Sequence, residues 1–204
     1  VVPNKGLEEG VCEVADSDGC RPLRADAVRN RARVLEAAEA VFAAEGISVP
    51  VDVIAERAGV GVGTLYRHFP TKELLFEAIM IGRMTEIAQE ARARIDSDDP
   101  GAAFFGFLEH VVQQASLKRD LINALSVAGA DFELRTAPVK HELEEAMGQL
   151  LARAQQAGAV RKDVAPPVVM ALIGATCMAV DNHHPTAAPG EMLAIVCDGL
   201  RVPN

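Results

Sequence analysis

Apolar residues recur at helical spacing along most of the chain, and the recurrence stops at glycines and prolines. The spacing predicts a helix from about Asp26 to Glu45, with Val34, Ala38, Val41 and Phe42 on one face and Gly46 placed to end it. Pro50 resets the chain. A short helix over 51–58 then turns Val53, Ile54 and Ala58 inward, and Gly59 permits a left-handed turn at low steric cost. A second short helix over 62–68 directs Val62, Leu65 and Phe69 inward before Pro70 stops it. Two short helices joined by a glycine-containing turn and packed on a longer one make a three-helix unit with a helix-turn-helix.

Thr71 caps the next helix, whose stripe of Phe76, Met80, Met84, Ile87 and Ala91 runs to the DSDDPG break at 96–101. This helix leaves the small unit without a linker, so movement at its far end would tilt that unit rigidly. Further apolar helical patterns cover 101–117, 119–130, 138–158, 165–180 and 188–201, separated by GADFELRTAP, GAVRKDVAPP and DNHHPTAAPG. No β alternation competes with them. The expected fold is therefore all-α: an acidic mobile tail over 1–24, the helix-turn-helix unit over 25–71 and a helical bundle over 72–204.

The last two patterns are almost free of charge. VVMALIGATCMAV has no ionised side chain in thirteen residues, and MLAIVC has none in six. A helix apolar all round needs cover on every side, supplied either by the chain's own core or by a second subunit. Small residues such as Gly174, Ala175 and Ala179 allow close approach and favour the second subunit. Met170, Ile173, Gly174, Cys177, Leu193, Val196 and Leu200 are the expected dimer contacts.

Half the residues are apolar, with seven Phe, one Tyr and no Trp, so the core is largely aliphatic. No stretch reaches the ~18 uncharged apolar residues of a membrane span, and the amino end lacks a basic start before an apolar run. A soluble cytoplasmic protein with no membrane partner is the expectation. Cys12, Cys20, Cys177 and Cys197 lack the close spacing of a zinc or redox pair, and free thiols are expected. The net charge of −9 disfavours nucleic acid until it is divided along the chain: residues 1–20 carry −4, residues 21–72 carry +2 and the remainder −7. Arg21, Arg24, Arg29, Arg31 and Arg33 face only Asp26 in their own stretch. Binding follows the local field rather than the total charge.

GVGVGTLYRHFPTK, residues 59–72, admits two chemistries, a phosphate loop or a surface for nucleic acid. A dinucleotide loop needs a preceding strand, and a Walker loop needs GxxxxGK followed by Ser or Thr. Here the helix IAERAG precedes the glycines, and Lys72 lies beyond a proline, so phosphate cradling is rejected. The inward stripe leaves Gly63, Thr64, Tyr66, Arg67 and His68 for solvent or a partner. A helix fits the major groove, where base edges specify sequence and phosphate contacts fix position.

The run VDVIAERAGVGVGTLYRHFPTKELLFEA, supported upstream by RARVLEAAEAVFAAEG, closely resembles the amino-terminal domain of the TetR family of transcriptional regulators over residues 31–79. The resemblance implies a homodimer that binds a roughly palindromic double-stranded operator and usually represses. It also implies a variable carboxyl-terminal domain that binds a small-molecule effector. It places Val62, Gly63, Thr64, Tyr66, Arg67 and His68 on the recognition helix and Lys72 on a phosphate. Tyr66 and Thr64 fall to the backbone, His68 to backbone or base, and Val62, Gly63 and Arg67 to base choice. Two departures stand out: Gly61 where the family often has a capping Ser, and Pro50-Val51 where Thr is common.

No motif names the effector. Met84, Phe104, Phe107, His110, Asn123, Phe132 and Met147 combine large apolar area with a few polar anchors and form the expected pocket region. Cys177, Asp181, His183 and His184 permit a metal site to be drawn, but adjacent histidines point apart and Pro185 ends the segment, so a polar turn is expected. Neither cofactor, metal nor catalysis is expected. His110 and Asp120 lack a nucleophile in forced geometry. The competing reading is a helical small-molecule-binding or interaction protein without operator binding, motivated by the acidic total charge and opposed by the intact YRHFPTK.

Overall fold

The chain is described by a computed structural model over residues 20–46, 48–116, 130–181 and 189–203. Eight helices and no strand occur among the described residues: α1 (Cys20–Glu45), α2 (Val51–Ala58), α3 (Val62–His68), α4 (Lys72–Arg94), α5 (Pro100–Ser116), α6 (Ala130–Gln156), α7 (Pro166–Asp181) and α8 (Pro189–Leu200). α1 starts at Cys20 rather than Asp26, and residues 1–19 of the expected tail over 1–24 lie outside the described residues. Pro22 falls in the first turn, where its missing N–H costs nothing, and the arginines and alanines that follow favour helix. The pattern at 119–130 and the DNHHP segment lie mostly outside the described residues. No group that could hold a metal occurs among the described residues, and Cys197 is a buried free thiol.

A larger correction concerns α6, which starts at Ala130 although Pro138 stands inside it. Helix continues through the proline, and its upstream side is tied to α4. Thr136 is buried, its hydroxyl donates to the Phe132 carbonyl at 2.9 Å, and Arg135 binds Glu77 of α4 through Nε at 2.7 and 2.8 Å.

Two apolar cores form. In the first, Val34, Val41 and Phe42 of α1 meet Ile54 of α2, Leu65 of α3, and Leu75, Phe76 and Ile79 of α4. The Phe42 and Phe76 rings stack with centroids 4.7 Å apart. Side chains of this kind contribute roughly 1.5–3 kcal/mol each when fully buried. Because α4 supplies three of them, the boundary at residue 71 separates elements without separating the packing. The second core joins Phe104, Phe107 and Leu108 of α5 to Met147, Leu150 and Leu151 of α6, with Ala91 of α4, Ile173 of α7 and Leu193 of α8. Arg83 of α4 pairs with Glu39 of α1, and Arg92 with Glu142 of α6, so α4 is tied to elements on both sides.

Candidate nucleic-acid interface

The turn between α2 and α3 closes by local hydrogen bonding. Gly59 adopts φ +62°, its N–H donates to the Glu56 carbonyl at 3.0 Å, and the Val60 N–H donates to the Ala55 carbonyl at 3.0 Å. This pair of bonds is the Schellman ending, which needs a left-handed residue at the glycine position. Gly61 follows in extended conformation as the N-cap of α3, with no side chain to cap it, and its carbonyl accepts from the Thr64 and Leu65 N–H groups at 2.8 and 3.1 Å. Leu65 and Phe69 then anchor α3 in the first core, exposed by 1% and 3%.

The outward face contains Val62, Gly63, Tyr66 and Arg67, all exposed, with Thr64 and His68 half-buried beside it. A methyl group built on Gly63 meets nothing within 4 Å. The structure therefore brings six of the seven expected DNA-facing residues onto one short helix. Val62 corrects the inward reading: at 38% exposure it joins the presented face. It is the first helical residue, one turn before the anchoring Leu65. That terminal position was the signal available in the sequence.

Lys72 is engaged inside the protein. Its ammonium donates to the Val49 carbonyl at 2.7 Å and lies 5.7 and 5.9 Å from the Phe42 and Phe76 ring centroids. Burial, opposed by the nearby Glu73 carboxylate, holds its pKa below the ordinary value. An ammonium has three donors. With one committed to Val49, a phosphate at the α4 amino end can still be met by the others. Thr71 caps α4 as expected, accepting from the Leu74 N–H at 3.3 Å.

The expected effector residues differ in burial. Phe104, Phe107 and Met147 are buried core side chains, while Met84, His110 and Phe132 are half-buried and Asn123 lies outside the described residues. Two clefts bounded by described residues have other linings. One of about 350 Å³ opens between α5 and α8 beside Phe105, Glu109, Cys197 and Arg201. Another of about 660 Å³ lies beside Asp99, Gly101, Ala159 and Val202. Burial and the Glu109 carboxylate push the Cys197 thiol up, so it remains protonated at neutral pH.

The expected dimer contacts divide between two faces. Ile173, Leu193 and Leu200 are buried within the chain, Met170, Cys177 and Val196 are half-buried, and Gly174 is exposed. The outward apolar residues are instead Val168, Leu172 and Met178 of α7 and Ile195 of α8, exposed by 49%, 38%, 60% and 72%. A helix apolar all round carries no polar stripe to tell its two faces apart, so spacing alone does not separate Ile173, Leu193 and Leu200 from the outward residues. No helix among the described residues is long and apolar enough to cross a membrane.

Comparison with known proteins bears on both halves. The sequence model described as bacterial regulatory proteins, tetR family, matches residues 34–79, and the one described as transcriptional regulator SbtR-like, C-terminal domain, matches residues 99–202. A TetR transcription regulatory protein of Mycobacterium vanbaalenii is 43% identical, with 89% of this chain and 100% of that one covered and a TM-score of 0.69. A TetR transcriptional regulator of Streptomyces coelicolor is 28% identical over 85% of this chain and 99% of its own, with a TM-score of 0.66. Among curated relatives, an HTH-type transcriptional regulator of Staphylococcus aureus is 40% identical over 76 residues, 36% of this chain and 41% of that regulator's length. The Escherichia coli regulator UidR is 27% identical over 150 residues, 70% of this chain and 74% of its own. With a helix-turn-helix presenting α3 and matches over both halves, the chain belongs to the TetR family and is a DNA-binding regulator of transcription.

Proposed function

We propose that two copies of the chain form a homodimer, place their α3 helices in successive major grooves of a roughly palindromic operator, and repress transcription until a small-molecule effector releases the DNA. The observation that carries this reading is the division of α3, with Leu65 and Phe69 fixed in the core and Val62, Gly63, Tyr66 and Arg67 left outside. Paired recognition helices read half-sites about 34–36 Å apart or multiples of that distance. The outward apolar residues of α7 and α8 supply the surface that pairs the copies, since contiguous exposed apolar area marks a contact site.

Effector response runs through α4. Its first turns belong to the DNA-binding core, and Ile87, Ala91 and Ile95 pack on the second core. A ligand that rearranges the second core shifts the separation of the two α3 helices only so far as it binds the two arrangements unequally.

Selection of bound genomic DNA, followed by a screen for small molecules that release it, tests the assignment. Recovery of a few palindromic sites and loss of binding with one compound class is the expected result; binding without sequence preference removes the operator, and a bound chain that activates transcription removes repression. Met178→Glu with Ile195→Glu is expected to give a folded monomer in sedimentation. A variant that stays dimeric removes the α7 and α8 face.

A further inference from the structure

Arginine pairing divides the molecule. Among the described residues, Arg29 pairs with Asp26, and every described arginine from α4 onward has a carboxylate at ion-pair distance, from Arg83 with Glu39 and Glu86 to Arg201 with Asp198. The described arginines without such a carboxylate are Arg31, Arg33, Arg57 and Arg67, all exposed and all inside the three-helix unit. In a chain of net charge −9, leaving these four guanidinium groups unneutralised on one unit concentrates positive potential there.

Arg57 and Arg67 lie on α2 and α3, but Arg31 and Arg33 come from α1, outside the helix-turn-helix pair. Their contacts locate them at opposite ends of α3. The Arg31 guanidinium lies 5.3 Å from the ring centroid of Phe69, the residue that ends α3. Arg33 Nη2 donates to the Gly59 carbonyl at 3.3 Å, in the turn that leads into α3. Stacking on a ring leaves the donor edges of a guanidinium open, and one bond to Gly59 leaves Arg33 four of its five N–H groups. A helix of this length spans about 10 Å at 1.5 Å per residue, which sets how far apart the two ends are that Arg31 and Arg33 reach.

We propose that Arg31 and Arg33 straddle α3 as a pair of DNA-phosphate contacts, adding a sequence-independent grip from α1 on either side of the recognition helix. This rests on the DNA-binding reading of α3. The pair fixes position and carries no base preference, since phosphate contacts hold register while base edges specify sequence.

The test is the salt dependence of binding, measured on the operator recovered by genomic selection and on a random-sequence duplex of the same length. Each phosphate contact contributes about 0.9 to the slope of log affinity against log salt. The Arg31→Gln, Arg33→Gln double variant is therefore expected to lower the slope by about 1.8 per protomer, to a similar extent on both duplexes. Arg31→Lys with Arg33→Lys keeps the charges and is expected to restore most of the slope. Thermal unfolding checks the purely structural alternative, in which Arg33 only holds Gly59 and Arg31 only covers Phe69. A lowered melting temperature with an unchanged slope overturns the pair, as does a loss confined to the operator. If the unaltered protein binds neither duplex, the DNA-binding reading fails and takes the pair with it; if it binds both and the Gln variant keeps its slope, the pair alone fails.

Discussion

Replacing glycine by alanine at two positions four residues apart is expected to shift stability in opposite directions. At Gly59 the backbone holds φ +62°, and an added methyl comes within 2.5 Å of Arg33 Nη2. That guanidinium is the far end of a flexible side chain and can move, so the cost is mainly backbone: about 1–2 kcal/mol for a non-glycine residue in the left-handed region. At Gly63 the added methyl meets nothing within 4 Å, and the residue lies inside α3. Alanine there favours helix by roughly 0.5 kcal/mol, at the low end of the usual gain because the position is near the helix start. For a chain of this size each kcal/mol moves Tm by about 2–4 °C. Gly59→Ala should melt roughly 2–8 °C lower and Gly63→Ala about 1–2 °C higher on the same scale. DNA binding should separate from stability at Gly63, where the methyl fills space left for close approach of the duplex. Thermal unfolding and titration with the selected operator measure both. A destabilised Gly63→Ala refutes the open-space reading, and one that binds as tightly as the unaltered protein refutes close approach.

Gly61→Ser should raise stability by a few tenths of a kcal/mol, because a hydroxyl can cap α3 and the nearest atom to an added methyl is Thr64 Oγ1 at 4.0 Å; a lower Tm refutes it. Arg135→Met leaves the Glu77 carboxylate, only 10% exposed, without that partner. A loss of about 1–3 kcal/mol is expected, with coupling to Glu77→Gln in a double-mutant cycle, and simple additivity in urea unfolding would remove the link. For Lys72 burial lowers the folded-state pKa below 10.5, so between that value and 10.5 the unfolded chain binds more protons and stability rises with pH. Lys72→Met should flatten that part of the stability profile, and an unaltered slope would contradict the burial argument.

The limits of α2 and α3 could be read from the sequence because their signals are local. Pro50, Gly59, Gly61 and Pro70 each act within one turn, and the structure ends or begins helices beside all four. α6 escaped the same logic. Its upstream turns depend on Arg135 reaching Glu77, fifty-eight residues away along the chain, and the break expected near Pro138 gave way to that contact. Val62 satisfied the inward spacing but sits at a helix end, where spacing alone does not supply a covering neighbour. In the effector region size alone does not separate a pocket from a core: Phe104, Phe107 and Met147 have the area expected of a pocket and are buried in the second core.

α4 has a consequence for anyone wishing to recombine this protein. A fragment ending at Thr71 retains the whole of α3 yet discards Leu75, Phe76 and Ile79, which fill the core beneath it. Arg83 still reaches back to Glu39 of α1, whereas Ile87 already packs on the second core. Between them lie residues 84–86, about one helical turn, where Thr85 bonds only to the Ile81 carbonyl of its own helix at 2.8 Å. A chimera that gives this DNA-binding half a foreign effector half has its seam there, inside a continuous helix, and has to replace the ion pair that crosses it, Arg135 with Glu77.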